Sequence, residues 1–69
     1  MRRNPVSSSS LASVGYDETT RTLEVEFNSG SAYQYFDVPM STYTELTTAD
    51  SIGRYFVEHV RDAYRHRRL

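Results

Sequence analysis

The chain has 69 residues, 38% of them hydrophobic and 25% charged, with a formal net charge of -1 and no cysteine. That length holds one domain, residues 1–69, and the composition excludes a disordered tail and a membrane protein. Without thiols there is no disulfide scaffold, no thiolate metal site and no cysteine nucleophile, which suits a reducing compartment and a cytoplasmic location.

Residues 1–10 contain Pro5 and the run Ser7-Ser8-Ser9-Ser10. Such a segment has little apolar surface to bury, so residues 1–5 are expected to be a flexible N-terminal segment. The arginines at 2 and 3 are followed by Val6 and serines rather than an apolar core, so no signal peptide is expected. No stretch approaches the roughly 18 apolar residues of a membrane helix. From Leu11 a period of two sets in: Ala12, Val14 and Tyr16 alternate with Ser13 and Gly15, the mark of a half-buried strand. Residues 17–21 break it. Leu23, Val25 and Phe27 then alternate with Thr22, Glu24, Glu26 and Asn28, an apolar-in, polar-out strand that places Glu24 and Glu26 on a solvated face. Asn28-Ser29-Gly30 turns the chain into a third strand from Ala32 to Phe36. Three strands joined by two short turns make an antiparallel meander.

The length of that second turn decides where two tyrosines point. A two-residue loop, Ser29-Gly30, pairs Val25 with Gln34 and puts Tyr33 and Tyr35 on the outer face beside the glutamates. A three-residue loop with Gly30 left-handed in a bulge pairs Val25 with Tyr33 and Leu23 with Tyr35, and turns both rings to the core. The second is favoured, because large rings stabilise a small core at about 25 cal/mol per Å² buried and the third loop position calls for glycine.

Beyond Val38-Pro39 the apolar period becomes helical. Pro39 suits a first helical turn, Thr42-x-x-Glu45 has the spacing of a capping box, and Tyr43 and Leu46 share a face of a short helix ending near Ala49. Asp50 or Ser51 then caps a longer helix whose apolar positions are Ile52, Phe56, Val60 and Ala63. Continued through the tail, that helix gathers Arg54, Arg61, Arg65 and Arg68 on the side opposite Ile52, Phe56, His59 and Ala63. Charge divides accordingly. Residues 4–50 carry one arginine against seven carboxylates, and residues 51–69 carry five arginines against two.

Several of these residues, taken in order, resemble the KTSC domain family. They are Leu23-Glu24-Val25-Glu26-Phe27, Gly30, Tyr33-x-Tyr35, Val38-Pro39, Tyr43, Ser51-x-Gly53-Arg54-Tyr55-Phe56 and His59-Val60-Arg61-x-x-Tyr64. The likeness covers about residues 6–65; the tyrosine pair and the Ser51–Phe56 run are its most specific parts. Val57 departs from it, standing where related sequences often have asparagine. The family is named for an appendage at the C-terminus of some lysyl-tRNA synthetases and also occurs as short stand-alone bacterial proteins. The resemblance implies a small domain of unknown function, associated with RNA through that attachment.

The expected architecture is α+β: a three-stranded antiparallel β-meander followed by two helices packed on one face. Its core is Leu23, Val25, Phe27, Tyr35, Leu46, Ile52, Phe56 and Val60. For function, two readings stand. In the first, a C-terminal helix carries Arg54, Arg61, Arg65, Arg67 and Arg68 against RNA phosphates while Tyr33, Tyr35 or Tyr64 stack on a base. The same arginines are otherwise a solvated helix face, with Arg54 and Glu58 paired at i, i+4, and the isoelectric point of about 6.0 is low for a nucleic-acid module. In the second, the acidic outer face of the sheet or a strand edge binds another protein. His59 falls in the apolar stripe and reads as a packed ring, His66 as a solvated one, and no third ligand joins them, so no metal is expected. Nor is a small-molecule cofactor. Ser7 to Ser10 lack a nucleophile elbow and there is no glycine-rich phosphate loop, so no catalytic residue is expected and the chain reads as a non-enzymatic binding module.

Overall fold

In the structure, a computed structural model describing residues 1–69, the chain runs β1 (Asn4–Pro5), β2 (Leu11–Asp17), β3 (Thr22–Phe27), β4 (Ala32–Tyr35), α1 (Met40–Thr48), α2 (Ile52–His59) and β5 (His66–Arg68). The strands form one antiparallel sheet in sequence order. Both helices cover the same face. Leu11, Val14, Leu23, Val25 and Tyr35 from the sheet meet Val38, Leu46, Phe56 and Val60 in a single core. No helix is long and apolar enough to cross a membrane.

The turn between β3 and β4 takes the three-residue form. Gly30 has φ 98°, the Phe27 amide donates to the Ser31 carbonyl at 2.8 Å, and the Gly30 amide donates to the Phe27 carbonyl at 2.9 Å. Val25 therefore lies opposite Tyr33 and Leu23 opposite Tyr35. Directly opposed residues share a face, so both rings point toward the helices. The cap of α2 is Ser51, whose hydroxyl accepts from the Arg54 amide at 3.3 Å. By contrast, α1 starts at Met40 behind Pro39 with no side-chain cap, and Thr42 is buried inside it rather than capping it.

Five strands replace the expected three, and both additions lie at the ends of the chain. Residues 1–5 are not a free tail. Asn4 and Pro5 pair with Val14 and Ser13, and the segment before them crosses the outer face of the sheet at Gly15, where a Cβ would run into the Arg2 carbonyl. The tail departs further from expectation, because α2 stops at His59 and Val60 leaves helical geometry with φ -121°. The Val60 and Arg61 amides both close onto the Phe56 carbonyl, at 3.0 and 2.9 Å. After that turn the chain pairs with β4 instead of winding on, matching Tyr33 with Arg68, Gln34 with Arg67 and Tyr35 with His66. The physical reason is the open edge of β4. Its backbone groups need partners, and residues 66–68 supply them.

Burial corrects four further expectations. Glu24 is buried rather than solvated, lying under Arg3 at 3.2 Å and accepting from Gln34 Nε2 at 3.1 Å. Phe27 and Ile52 pack against the core but remain partly exposed. His59 is exposed, its ring resting on Tyr55 with centroids 4.5 Å apart.

Candidate functional site

The helices leave part of the inner sheet face uncovered beside α2, and there the surface opens into a groove of about 450 Å³. Its floor is aromatic. Phe27 meets Tyr33 edge-on at 5.8 Å and Phe56 at 5.4 Å, and Phe56 in turn meets Tyr35 at 5.5 Å. Ser10, Leu11, Ser29, Ser31, Gly53, Val57, Arg61 and His66 complete the lining. Arg68 closes the rim, donating from Nη2 to Ser31 Oγ at 3.1 Å. No carboxylate lines the groove, although the chain as a whole carries a net negative charge.

Each lining group is placed by local rules already described. The Gly30 bulge fixes the register that turns Tyr33 and Tyr35 inward, and pairing of β5 to β4 sets His66 opposite Tyr35 and Arg68 opposite Tyr33 on that same face. The His66 ring lies 5.3 Å from Tyr35 and 6.0 Å from Tyr33. Gly53 admits the serine segment close to α2, since a Cβ there would stand 3.3 Å from Ser10 Oγ.

The residues singled out from sequence divide between this groove and other surfaces. Tyr33, Tyr35 and Arg61 line it, with Arg68 at its rim. Arg54 lies on α2 paired with Glu58 at 3.7 Å. Arg65 reaches Asp37 at 3.6 Å and lies over the Phe36 ring at 5.6 Å. Arg67 falls on the outer face beside Gln34, and the Tyr64 hydroxyl lies 3.3 Å from Thr42 Oγ1 on α1. The five arginines thus do not form one helical stripe. Tyr35 is only 3% exposed, so its ring offers no open face for stacking, whereas Tyr33 is half-buried and open to the groove. His66 is exposed, as expected, and it also lines the groove; the one sequence signal for that position is its alternation with Arg68 along a strand.

Burial pushes the Tyr35 phenol up to about 12, with the neighbouring Tyr33 adding to the effect. Tyr55 is also raised, by burial first and then by Glu45, to which its hydroxyl donates at 3.5 Å. On the far side of the sheet, Arg3 over Glu24 and the Ser13 hydroxyl on Glu26 at 2.9 Å occupy the two carboxylates of β3. The outer face is therefore less acidic than the sequence pattern implies.

Sheet, helices and groove together define a small α+β module with an open aromatic site. The chain belongs to the KTSC domain family, whose model matches residues 7–64. It is 50% identical over 56 residues to an uncharacterized protein of Stutzerimonas stutzeri, covering 81% of this chain and 79% of that one. It is also 43% identical over 54 residues to a lysine–tRNA ligase of Trichormus variabilis, a match that spans 78% of this chain and 10% of the ligase. The crystal structure of a KTSC domain protein from Yersinia pestis superposes with a TM-score of 0.93 at 38% identity, covering 99% of this chain and 96% of that one.

Proposed function

We propose that this domain is an RNA-binding module that takes an unpaired nucleotide into the groove between β4, β5 and α2. The observation that carries the reading is the groove itself: aromatic side chains with arginine and histidine around them and no carboxylate in the lining. Open aromatic rings stack on unpaired bases for about 1–3 kcal/mol per base, and guanidinium groups bind phosphate bidentately. Tyr33 and Phe27 offer the stacking surface, while Arg61 and Arg68 meet the backbone. The relatives that carry this domain within a lysine–tRNA ligase lend the reading an RNA-related setting. The reading is of a binding module and assigns no catalytic step to the groove.

Fluorescence anisotropy of a labelled single-stranded RNA, set against a fully paired duplex, tests this directly. Binding should favour the single strand, weaken as salt rises, and fall about tenfold when Arg61→Ala and Arg68→Ala are combined. Absence of binding at low salt, or equal binding of the duplex, overturns the reading.

A further inference from the structure

Tyr35 holds a hydroxyl that the fold does not use. The hydroxyls of Tyr16, Tyr55 and Tyr64 find partners in Val38, Glu45 and Thr42, whereas those of Tyr33, Tyr35 and Tyr43 bond nothing in the protein, and of these three Tyr33 and Tyr35 line the groove. Tyr35, at 3% exposure the most buried tyrosine of the chain, makes no hydrogen bond within the protein, and it lines the groove. The hydroxyl is not sealed off, since the one buried side-chain polar atom without a partner is Arg3 Nη1; it reaches the groove opening, where water or a ligand meets it. The neighbours identify the kind of partner. His66 lies 5.3 Å away ring to ring, and Arg61, whose charge is felt at the Tyr35 phenol, lines the same groove. Arg61 pairs with Asp62 through Nε at 3.5 Å, and both side chains stay more than half exposed, so the guanidinium remains open to a ligand. With the phenol held protonated at neutral pH, the hydroxyl is a donor. A hydroxyl donor, a guanidinium and an imidazole line the groove, while Asp62, which pairs with Arg61 and opposes its effect at the phenol, stands outside the lining; such a set selects an anion of several acceptor oxygens.

We propose that the Tyr35 hydroxyl, Arg61 and His66 receive the phosphate of the bound nucleotide, while Tyr33 and Phe27 receive its base nearer the β3–β4 turn. This rests on the RNA reading and deepens it, giving the groove a direction: base toward Gly30, phosphate toward the start of β5. Tyr35 is then a specificity-determining residue rather than a filler of the core.

Tyr35→Phe isolates the point, because it removes one oxygen and keeps the ring. Since that oxygen bonds nothing in the protein, the urea midpoint at neutral pH should hold. Adenosine and adenosine 5′-monophosphate, titrated into labelled protein and followed by NMR, supply the probes, together with a short single-stranded RNA. The wild type should prefer the monophosphate to the nucleoside about tenfold, and both Tyr35→Phe and Arg61→Ala should reduce that preference to about twofold or less without weakening the nucleoside. Much tighter binding of the RNA than of the free monophosphate assigns the phosphate to a chain; equal binding assigns it to a free nucleotide. Equal binding of nucleoside and monophosphate by the wild type, or a preference unchanged in Tyr35→Phe, overturns the proposal. If RNA still binds in that case, the RNA reading stands and only the assignment of the phosphate falls; if no probe binds, both fall.

Discussion

In a Phe56→Ala variant the core loses the only side chain that α2 buries. The ring is 3% exposed and stands edge-on to both Phe27 and Tyr35, at 5.4 and 5.5 Å. A buried phenylalanine removes about 150 Å² or more from water, which at about 25 cal/mol per Å² is about 4 kcal/mol, inside the range of about 3–5 kcal/mol for truncation to alanine. Each lost edge contact adds about 0.5–1.5 kcal/mol. A chain of this length has a total stability of about 3–10 kcal/mol, so the variant should be largely unfolded or hold a small fraction of the wild-type stability. Urea titration followed by far-ultraviolet circular dichroism, with tyrosine fluorescence as a second probe, measures this. A midpoint and slope like those of the wild type would mean that Phe56 does not join α2 to the sheet, and both the core and the groove floor would need redrawing.

Other expectations follow from single contacts. Gly15→Ala should lift the N-terminal segment off the sheet and destabilise the chain by about 1–3 kcal/mol, seen as faster hydrogen exchange at the Val6 amide, which otherwise donates to Ala12 at 3.1 Å; unchanged exchange would count against the docking of β1. Ser51→Ala removes the cap of α2 and should cost about 1 kcal/mol in urea unfolding, and no loss would show that the cap is idle. Alkaline pH gives the sign of the Tyr35 effect. Its folded pKa of about 12 stands above the usual tyrosine value, so the stability it contributes is complete below about pH 10 and is lost as pH rises through about 12. Urea midpoints should fall across that window in the wild type and fall less in Tyr35→Phe, and parallel decline in both would remove Tyr35 as the cause. The chain has no lysine or cysteine, so tyrosines dominate its titration there.

Much of the fold follows from local pattern. Strict alternation in Leu23, Val25 and Phe27 and a glycine in the third loop position specify the register that turns Tyr33 and Tyr35 inward, because a one-residue slip would reverse every side chain. Ser51 announces its helix by the side chain itself. What escapes is the edge of the sheet. β1 and β5 have two and three residues, too few to show a period, and their pairing satisfies backbone groups of β2 and β4 that no pattern of side chains records. The tail shows the failure most sharply: Val60, Ala63 and the arginines keep helical spacing, yet the chain breaks at Val60 and residues 66–68 complete the sheet. Glu24 escapes for a related reason, since its cover comes from Arg3, 21 positions away and outside any local window. The groove is legible in the sequence as single residues, Tyr33, Tyr35, Arg61 and Arg68, but not as a site, because His66 and Arg68 come beside the tyrosines only once β5 is formed.

The central claim, that an unpaired nucleotide enters the groove beside α2, is tested most directly by titrating isotopically labelled protein with short single-stranded RNA and mapping the NMR shifts at low and raised salt. Shifts gathered at Phe27, Ser31, Tyr33, Tyr35, Arg61, His66 and Arg68, and fading as salt rises, are the expected result. Shifts confined to Arg54, Arg67 or the outer face, or none at all at low salt, would contradict it.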